Sequence, residues 1–403
     1  MVCCVRIVSN ESIFNLPGQK KKAYGGTAIF AKNFSDHVTM HGHEWIGIID
    51  RVSKGSRTYM KEAGTDGLRS FHYLFFPYSR HRSIMNAEKS VDAKKHFAKE
   101  IARLKTFFDS VRPDIVFLNG YLSTAWMMLI AAYESGVPVA VQHAGILQVE
   151  METQKRIRPK ATRRIYLEME RDIARYASMQ IFLNDYSREV YGRKVAPVAK
   201  GKSVIIPLPY QKEMLQFFRR QAKQKEKKGL DIGNVARWNR IKNYEAFVDV
   251  AIAAHKQRLD WRFHAVTHIP QTNFKKRVKE EYRRHVEVHA PMGRKDLARF
   301  YAAMDMMILP SRFDVSPTVV MEAALAGKPT LISPSVGWVS EYKACKMKDW
   351  VMSFDDPKKV VTRLKKLLKR PMPKMFRSYI LKRHSPEKVF AKYMTLFKQI
   401  TTL

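Results

Sequence analysis

The stretch SRFDVSPTVVMEAALAGKPT holds two carboxylates among apolar side chains, Asp314 and Glu322, which stand eight residues apart. Ser316 is a favoured N-cap residue and Pro317 suits the first position of a helix, so the sequence predicts that a helix begins here. The helix is apolar nearly all round and should be buried. Thr318 and Glu322, at i and i+4, form its one polar stripe.

Glu322 needs a partner, because an unpaired buried carboxylate commonly costs several kcal/mol. The hydroxyls of a ribose would serve, since carboxylates bind ribose hydroxyls in nucleotide sites. An Arg or Lys from the other side of the helix is the alternative partner. The residues alone leave both interpretations open.

The stretch VARWNRIKNYEAF brings two cations to one turn. Arg237 follows a predicted strand, Lys242 comes five residues later, and Asn243 could cap the helix that follows. Arg can bind two oxygens at once and Lys supplies a compact charge, so this turn beside a helix N-terminus suits a diphosphate. In a chain this basic, an incidental pair of cations is the alternative.

Two features of the first half carry weaker signals. Gly25 and Gly26 precede a predicted helix, where glycines let backbone amides approach a phosphate or sugar closely, although ordinary turn chemistry would also explain the pair. His143 ends a predicted strand and is expected at the mouth of a cleft, where imidazole can donate hydrogen bonds or handle protons near neutral pH. A purely structural histidine is the alternative.

The elements that must position these residues are short β-branched runs alternating with longer helical patterns, which is typical of parallel sheets covered by helices. The sequence therefore predicts an α/β protein with two Rossmann-like, doubly wound domains facing across a cleft. The N-terminal domain is expected at residues 1–205 and the C-terminal domain at 206–385. A C-terminal helix is expected within 386–403 and could pack back on the N-terminal domain.

The net charge predicts an anionic partner. The 403 residues include 73 Lys and Arg against 37 Asp and Glu, a formal charge of +36. Nucleic acid, an anionic membrane surface and a phosphorylated small molecule would all respond to such a field. Three cysteines without zinc spacing, no signal-peptide pattern and no apolar run long enough to span a bilayer lead us to expect a cytoplasmic protein.

Together these motifs resemble retaining glycosyltransferases of the GT-B fold, specifically glycosyltransferase family 4 (glycosyl transferases group 1). The likeness runs from the first strand to the last helix. It rests on the glycine pair, the histidine after a middle strand, VARWNRIKN, and DVSPTVVMEAALAGKPTLIS with the VGWVSE that follows. The order and spacing of the four motifs are far more specific than any one of them.

The resemblance implies roles for individual residues. Arg237 and Lys242 would hold the diphosphate of a nucleotide sugar, Glu322 the ribose, and Asp314 the hydroxyls of the transferred sugar, with His143 facing that sugar from the other domain. Met292 and Gly293 lie near the expected base-binding loop, and the amides from Ser316 to Val319 would contact phosphate or sugar. The implied catalytic residues are His143, Arg237, Lys242 and Asp314, and the implied donor-binding residues are Gly25, Gly26, Met292, Gly293, Ser316, Pro317, Thr318, Val319 and Glu322.

The implied reaction is a metal-independent, front-face transfer with retention of configuration, from a nucleotide-diphosphate sugar to a glycan or lipid-linked acceptor. No cofactor other than the donor is expected. Three positions depart from the pattern: Asp314 replaces the usual glutamate, FHAVTH lacks a glycine, and Trp338 stands where a second glycine is common. Asp314 in particular leads us to expect a donor pocket that is shaped for a different sugar or that binds the donor more weakly.

The basic stretches SRHRSIMNAEKSVDAKK and KRIRPKATRR fall in the first domain and would suit an anionic membrane surface as a further partner. A nucleic-acid-binding protein is one alternative function, although no DNA- or RNA-binding motif is present and Glu322 would be left without a purpose. A sugar-nucleotide epimerase on the same fold is another. The sequence leaves open the base, the sugar, the acceptor and the oligomeric state.

Overall fold

A computed structural model describes residues 4–12, 15–18, 26–89, 91–120, 123–154, 159–219, 229–267, 280–370 and 372–402. The chain forms two compact units. The first comprises Met1–Pro207 and Val389–Leu403, and the second comprises Leu208–Lys388. Each unit is built on a largely parallel sheet covered by helices, so the predicted α/β class is confirmed.

The first unit contains an eight-stranded sheet in the order β3-β4-β2-β1-β5-β6-β7-β8. All its neighbouring pairs are parallel except β3 with β4, a hairpin that the sequence patterns did not predict. The strand order reverses between β1 and β5, which is the topological switch point of the sheet. The strands are β1 Arg6–Asn10, β2 Glu44–Ser53, β3 Tyr59–Asp66, β4 Arg69–Pro77, β5 Ile115–Asn119, β6 Val139–His143, β7 Met179–Phe182 and β8 Ser203–Ile205.

Among the described residues before Pro207, eight helices cover the sheet of the first unit. The apolar pattern of residues 92–110 predicts one helix, but the structure has two helices separated by Phe97, whose side chain is fully buried. α5 is buried on nearly every face, as its continuous apolar sequence indicates. The helices are α1 Gly26–Met40, α2 Tyr78–Met85, α3 Ala93–His96, α4 Ala98–Val111, α5 Ser123–Glu134, α6 Leu147–Gln154, α7 Lys160–Tyr176 and α8 Asp185–Lys194.

The second unit contains a five-stranded, fully parallel sheet in the order β11-β10-β9-β12-β13. Its order reverses between β9 and β12, so the carboxyl ends of these two strands form the switch point. The predicted Lys-rich connection at 219–228 lies outside the described residues, apart from Arg219. The strands are β9 Leu230–Val235, β10 Trp261–Val266, β11 Glu287–His289, β12 Met306–Leu309 and β13 Thr330–Ile332.

In the second unit, one described helix precedes the first strand, and the others alternate with or follow the strands. The described residues include two 3₁₀ turns in the loops, Arg240–Lys242 and Lys348–Trp350. The helices are α9 Lys212–Arg219, α10 Tyr244–Lys256, α11 Glu280–Arg283, α12 Arg294–Ala303, α13 Thr318–Leu325, α14 Val339–Ala344, α15 Pro357–Leu367, α16 Lys374–Arg383 and α17 Pro386–Thr401.

From Val389 onward, α17 belongs to the first unit, where its aromatic face packs on α1 and β5. The ring centroids of Tyr393 and Phe34 are 5.1 Å apart, and those of Phe397 and Phe117 are 5.4 Å apart. These contacts bury apolar surface along one face of α17. None of the helices in the described part of the chain combines the length and the apolar character that crossing a membrane requires.

Candidate functional site

The β9–β12 switch point brings together two loops that are more than seventy residues apart in sequence. The loop after β9 carries Arg237 and Lys242, and the loop after β12 carries Asp314. The Lys242 ammonium and the Asp314 carboxylate form an ion pair, with side chains that are 20% and 13% exposed. The sequence predicted both residues at one site but not their direct contact.

Backbone geometry fixes the Lys242 side of this pair. The Asn239 side-chain oxygen accepts a hydrogen bond from the Lys242 amide at 3.0 Å and so caps the 3₁₀ turn. Asn243 is the N-cap residue of α10 by position, but its backbone is left-handed (φ 53°) and its side chain makes no capping hydrogen bond. The Asn243 side-chain amide instead donates from Nδ2 to the Pro310 carbonyl at 3.1 Å, which ties the β9 loop to the β12 loop. The expected capping by Asn243 is therefore wrong.

The Asp314 side is held by backbone contacts on both flanks. The Arg312 amide donates to the Ile241 carbonyl at 2.7 Å. The Asp314 amide donates to the Ser335 carbonyl at 3.1 Å, and the Asp314 carbonyl accepts from the Gly337 amide at 2.8 Å. The carboxylate therefore projects from a segment whose position is set independently of any ligand.

Arg237 differs from Lys242 in being exposed. Among the residues that the structure describes, no carboxylate forms an ion pair with it. Its neighbour Trp238 stacks on Tyr244 with ring centroids 4.1 Å apart, which anchors the backbone of the loop. Arg237 is thus a cation on a fixed loop with its guanidinium open to an anionic ligand.

The start of α13 differs from the prediction. The helix begins at Thr318, Pro317 occupies the N-cap position with an extended ψ of 120°, and no side chain caps the helix. The Pro317 carbonyl accepts hydrogen bonds from the Val320 amide and from the Trp338 indole, both at 3.2 Å, so the first helical turn starts after Pro317 rather than at it. The predicted capping by Ser316 and the N1 position of Pro317 are wrong by one residue.

The partner of Glu322 is a phenol. The Tyr301 hydroxyl donates to the Glu322 carboxylate at 2.6 Å, and Thr318, one turn earlier, also forms a hydrogen bond with it. Burial raises the pKa of Glu322, and the positive charge of Arg294 acts against that shift. The Arg294 guanidinium itself forms an ion pair with Glu213. Glu322 as a whole residue is half-buried.

Met292 and Gly293 form the approach to α12. Gly293 is the N-cap residue of α12, and Met292 packs against the apolar cluster that contains Tyr301. The expected helix at 295–304 is observed at Arg294–Ala303. This segment therefore sets the position of Tyr301, two turns further on, which hydrogen-bonds Glu322.

In the first unit, Gly26 is the exposed first residue of α1, and Gly25 lies outside the described residues. His143 ends β6 as predicted, but its ring is fully buried. It stacks on Phe182 with centroids 4.4 Å apart, and its Nε2 lies 3.1 Å from the Gln180 side-chain oxygen. Burial lowers the pKa of His143 to about 3, so the ring is neutral at physiological pH.

Sequence reasoning missed Tyr301, Arg294 and Trp338. Trp338, noted as a departure from the motif, is buried against His384 with centroids 5.0 Å apart, and it holds the Pro317 carbonyl. Its bulk fills the interior beside the start of α13. The sequence could have indicated this packing role, because Trp338 is a bulky residue at a position where a small one is expected.

The segment from residue 229 to residue 370 matches the family model described as glycosyl transferases group 1. The match covers less than half of the 403-residue chain, so it is a similarity of this segment to that family. The matched segment contains the whole β9–β12 switch point, including Arg237, Lys242, Asp314 and Glu322. No curated protein matches the chain in sequence.

Solved structures extend this likeness to the whole fold. Sucrose-phosphate synthase from Thermosynechococcus elongatus aligns with a TM-score of 0.73 at 14% identity, over 98% of this chain and 99% of that one. A glycosyltransferase from Rickettsia africae gives 0.67 at 13% identity, over 99% of both chains. Anabaena HepE, solved with UDP and glucose, gives 0.64 at 12% identity, over 98% of this chain and 99% of that one. The predicted GT-B glycosyltransferase fold is confirmed, and family 4 is compatible with these findings.

Proposed function

We propose that this glycosyltransferase moves a sugar, with retention of configuration, from a nucleotide-diphosphate sugar to a glycan or lipid-linked acceptor. The observation that carries the proposal is the convergence of Arg237, Lys242 and Asp314 at the carboxyl ends of β9 and β12. Ligands of open α/β sheets bind at such a point. Two cations and one carboxylate match the diphosphate and the sugar hydroxyls of the donor.

Breaking the bond between sugar and phosphate leaves negative charge on the departing diphosphate. The Lys242 ammonium has three N–H donors and gives one to Asp314, so two can meet phosphate oxygens. Arg237 and the N-terminal amides of α13 add positive charge on the same side of the domain. Because these groups are already in place, they would stabilise the developing charge without reorganising and without requiring a metal ion.

Glu322 would hold the ribose. An ionised carboxylate has about four lone-pair positions, and Tyr301 and Thr318 occupy part of that capacity. Two ribose hydroxyls donating to the remaining positions would favour the ionised form that burial disfavours. The Tyr301 hydrogen bond keeps the carboxylate rotamer in place before the nucleotide arrives.

Asp314 would orient the transferred sugar and at the same time hold Lys242. In a front-face reaction the departing phosphate accepts the proton of the acceptor hydroxyl, so no protein base is required. His143, which is neutral, would act only as a hydrogen-bonding group, and this role requires its ring to become accessible on substrate binding. Asp314→Glu tests whether the shorter acid selects the sugar through a change in donor preference.

Thermal shift against UDP-, GDP- and ADP-sugars tests the donor class. A ligand at about one hundred times its dissociation constant adds about 2.7 kcal/mol to the free energy of unfolding. We expect one donor series to stabilise the protein, and Lys242→Ala and Glu322→Ala to abolish that shift. Arg240→Ala, an exposed cation on the same turn, is the matched control. Stabilisation only by DNA or RNA would refute the proposal.

Two product assays separate the finer alternatives. NMR of the product gives the anomeric configuration, and inversion would contradict the retaining mechanism. Conversion of the donor into an epimer without any acceptor would instead identify an epimerase. Full transfer activity after dialysis against a chelator is the expected result for a metal-independent reaction.

A peripheral membrane association would bring a lipid-linked acceptor to the first unit. The Thr162 hydroxyl of α7 donates to the carbonyls of Ile84 and Ala87 at 3.3 and 3.2 Å, which places the described part of one basic stretch beside that of the other; residues 90 and 155–158 lie outside the described residues. Lys160, Arg163 and Arg164 are exposed on α7. We expect co-sedimentation with anionic but not zwitterionic vesicles, reduced in Arg163→Ala/Arg164→Ala. Equal binding to both vesicle types would contradict an association that depends on the positive charge of these residues.

A further inference from the structure

Three potential metal ligands converge at the edge of the second-unit sheet. His264 on β10 lies in register with Glu287 on the edge strand β11, and His289 follows two residues later on the same face of β11. Their ligand atoms all lie within 4.8 Å of one another. This cluster is separate from the residues that we assign to the donor.

The distances within the cluster match the edges of a metal tetrahedron. His264 Nδ1 lies 3.2 Å from Glu287 Oε2 and 3.4 Å from His289 Nε2, and His289 Nε2 lies 3.6 Å from Glu287 Oε1. Nitrogen and oxygen ligands about 2.0–2.1 Å from Zn²⁺ in tetrahedral geometry are about 3.3–3.4 Å from one another. An octahedral arrangement at the same bond lengths would bring adjacent ligands to about 2.9 Å. The observed spacings fit the tetrahedron better.

A neighbouring carboxylate orients the first ligand. His264 Nε2 lies 3.0 Å from Asp231 Oδ1, and Arg262 binds the two oxygens of Asp231 at 2.6 and 3.0 Å. A hydrogen on Nε2 donated to Asp231 leaves the lone pair of Nδ1 directed at Glu287 and His289. Metal-bound histidines commonly donate their second nitrogen to a carboxylate in this way.

The acceptor atoms of the cluster suit a bound cation. When His264 donates from Nε2 to Asp231, its Nδ1 and the Glu287 carboxylate are both acceptors 3.2 Å apart. A neutral imidazole and an ionised carboxylate are the forms of these side chains that divalent metals bind.

We propose that His264, Glu287 and His289 form a binding site for one divalent transition-metal ion, with Zn²⁺ favoured by the ligand set and a water molecule as fourth ligand. The ion would link the three-residue edge strand β11 to β10. β11 leads into residues 290–293 and then α12, which carries Tyr301. The role is structural and is independent of the proposed transfer reaction, which does not use these residues.

Co²⁺ titration of the full chain at neutral pH tests the site, because tetrahedral Co²⁺ has intense visible absorption. We expect one equivalent to give the tetrahedral spectrum and Zn²⁺ to displace it. Glu287→Gln and His289→Gln should each remove the spectrum. Glu287 is 64% exposed, so its substitution leaves folding intact. Asp231→Asn should weaken binding about 10- to 100-fold.

The matched control is His285→Gln, since His285 pairs with His255 at 2.8 Å in the same unit outside the cluster. This variant should keep the Co²⁺ spectrum unchanged. Loss of the spectrum in His285→Gln with retention in His289→Gln would overturn the assignment, as would an octahedral spectrum or no saturable binding. Glu287→Gln should lose the Co²⁺ spectrum and keep its transfer activity, which would show that the metal site is separate from the donor site.

Discussion

The two sheets of this glycosyltransferase reverse strand order in the same way, yet their switch points carry opposite chemistry. In the second unit, the β9–β12 switch point presents exposed Arg237 and the half-buried pair of Lys242 and Asp314. In the first unit, the β1–β5 switch point holds a buried network of neutral side chains. The same topology therefore supports a site for an anion in one unit and a neutral polar interior in the other.

The neutral network runs across three strands. The backbone N–H of Asn119 donates to the Asn10 side-chain oxygen at 2.8 Å. The side-chain NH₂ of Gln142 donates to the Asn119 side-chain oxygen at 2.9 Å. The Tyr393 hydroxyl of α17 donates to Gln142. Glu11, directly after β1, accepts from Asn15 and Trp45 and is buried as well. The difference teaches that side-chain hydrogen bonds order the first switch point, while the second presents charged side chains, to which we assign the donor in our proposal.

Removing the lysine of the charged switch point gives the largest expected effect. We expect Lys242→Ala to lower kcat by about 10²- to 10³-fold, because one fixed donor to developing charge in a preorganised site is worth that much. Steady-state kinetics with the donor found by thermal shift provide the measurement. Arg240→Ala, which removes an exposed cation of the same turn, should stay within about two-fold. An equal loss of kcat in both variants would show that the net charge of the turn, and not the position of the Lys242 ammonium, determines the rate.

Glu11 provides the sharpest contrast because it is a carboxyl at the neutral switch point. Burial raises its pKa from 4.5 to about 7, so the folded state binds the proton more tightly than the unfolded state. The resulting stability is fully present below about pH 4.5 and is lost as the pH rises through about 7, a difference of about 3 kcal/mol. We expect Glu11→Gln to remove this loss, measured by denaturant unfolding across that range.

His143 must be separated from this effect. Its lowered pKa of about 3 means that its contribution is lost as the pH falls from about 6.5 toward 3, the opposite direction to Glu11. The quantity to compare is therefore the difference in the free energy of unfolding between Glu11→Gln and the unsubstituted chain at each pH. The contribution of His143 is the same in both proteins and cancels. A difference that does not change between pH 5 and pH 8 would show that Glu11 ionises normally.

Much of the fold was predictable because hydrophobic periodicity is local. The apolar runs WRFHAV and DMMILP each predict a strand and match β10 and β12 to within a residue, and the last helix, Pro386–Thr401, lies within the predicted range 386–403. The hairpin β3–β4 was missed because its exposed outer strand carries no apolar alternation.

Residues of the candidate site could be predicted to lie together where they follow the same strand. They could not be predicted to do so where they come from distant segments of the chain. Arg237 and Lys242 follow one strand, so topology alone places them. The Tyr301 partner of Glu322 comes from another helix, and the proposed metal ligands His264 and His289 come from two strands. Such pairings depend on register and packing, which a single sequence does not reveal.

Glu322 shares features of both switch points: it is a half-buried residue of the second unit, and burial raises the pKa of its carboxyl group. We expect Glu322→Gln to weaken nucleotide binding roughly 10- to 30-fold, because it replaces charged hydrogen bonds to ribose by neutral ones. Its folding stability should not fall, since burial penalises the ionised carboxyl. Calorimetric titration with the nucleotide provides the measurement. Tyr301→Phe, which loses only the orienting hydroxyl, should weaken binding less, and the reverse order would place the ribose elsewhere.

Tyr393 tests the neutral network at its last link and gives the smallest expected effect. Its hydroxyl is fully buried and donates to Gln142, so Tyr393→Phe leaves the Gln142 oxygen without that donor. We expect a loss of about 1 kcal/mol in the free energy of unfolding, with nucleotide affinity unchanged because the donor residues lie in the other unit. Tyr59→Phe, a partly exposed tyrosine stacked on Phe75, is the control and should be neutral. If Tyr393→Phe instead lowered nucleotide affinity, the two switch points would be energetically coupled, and the division of chemistry between them would not hold.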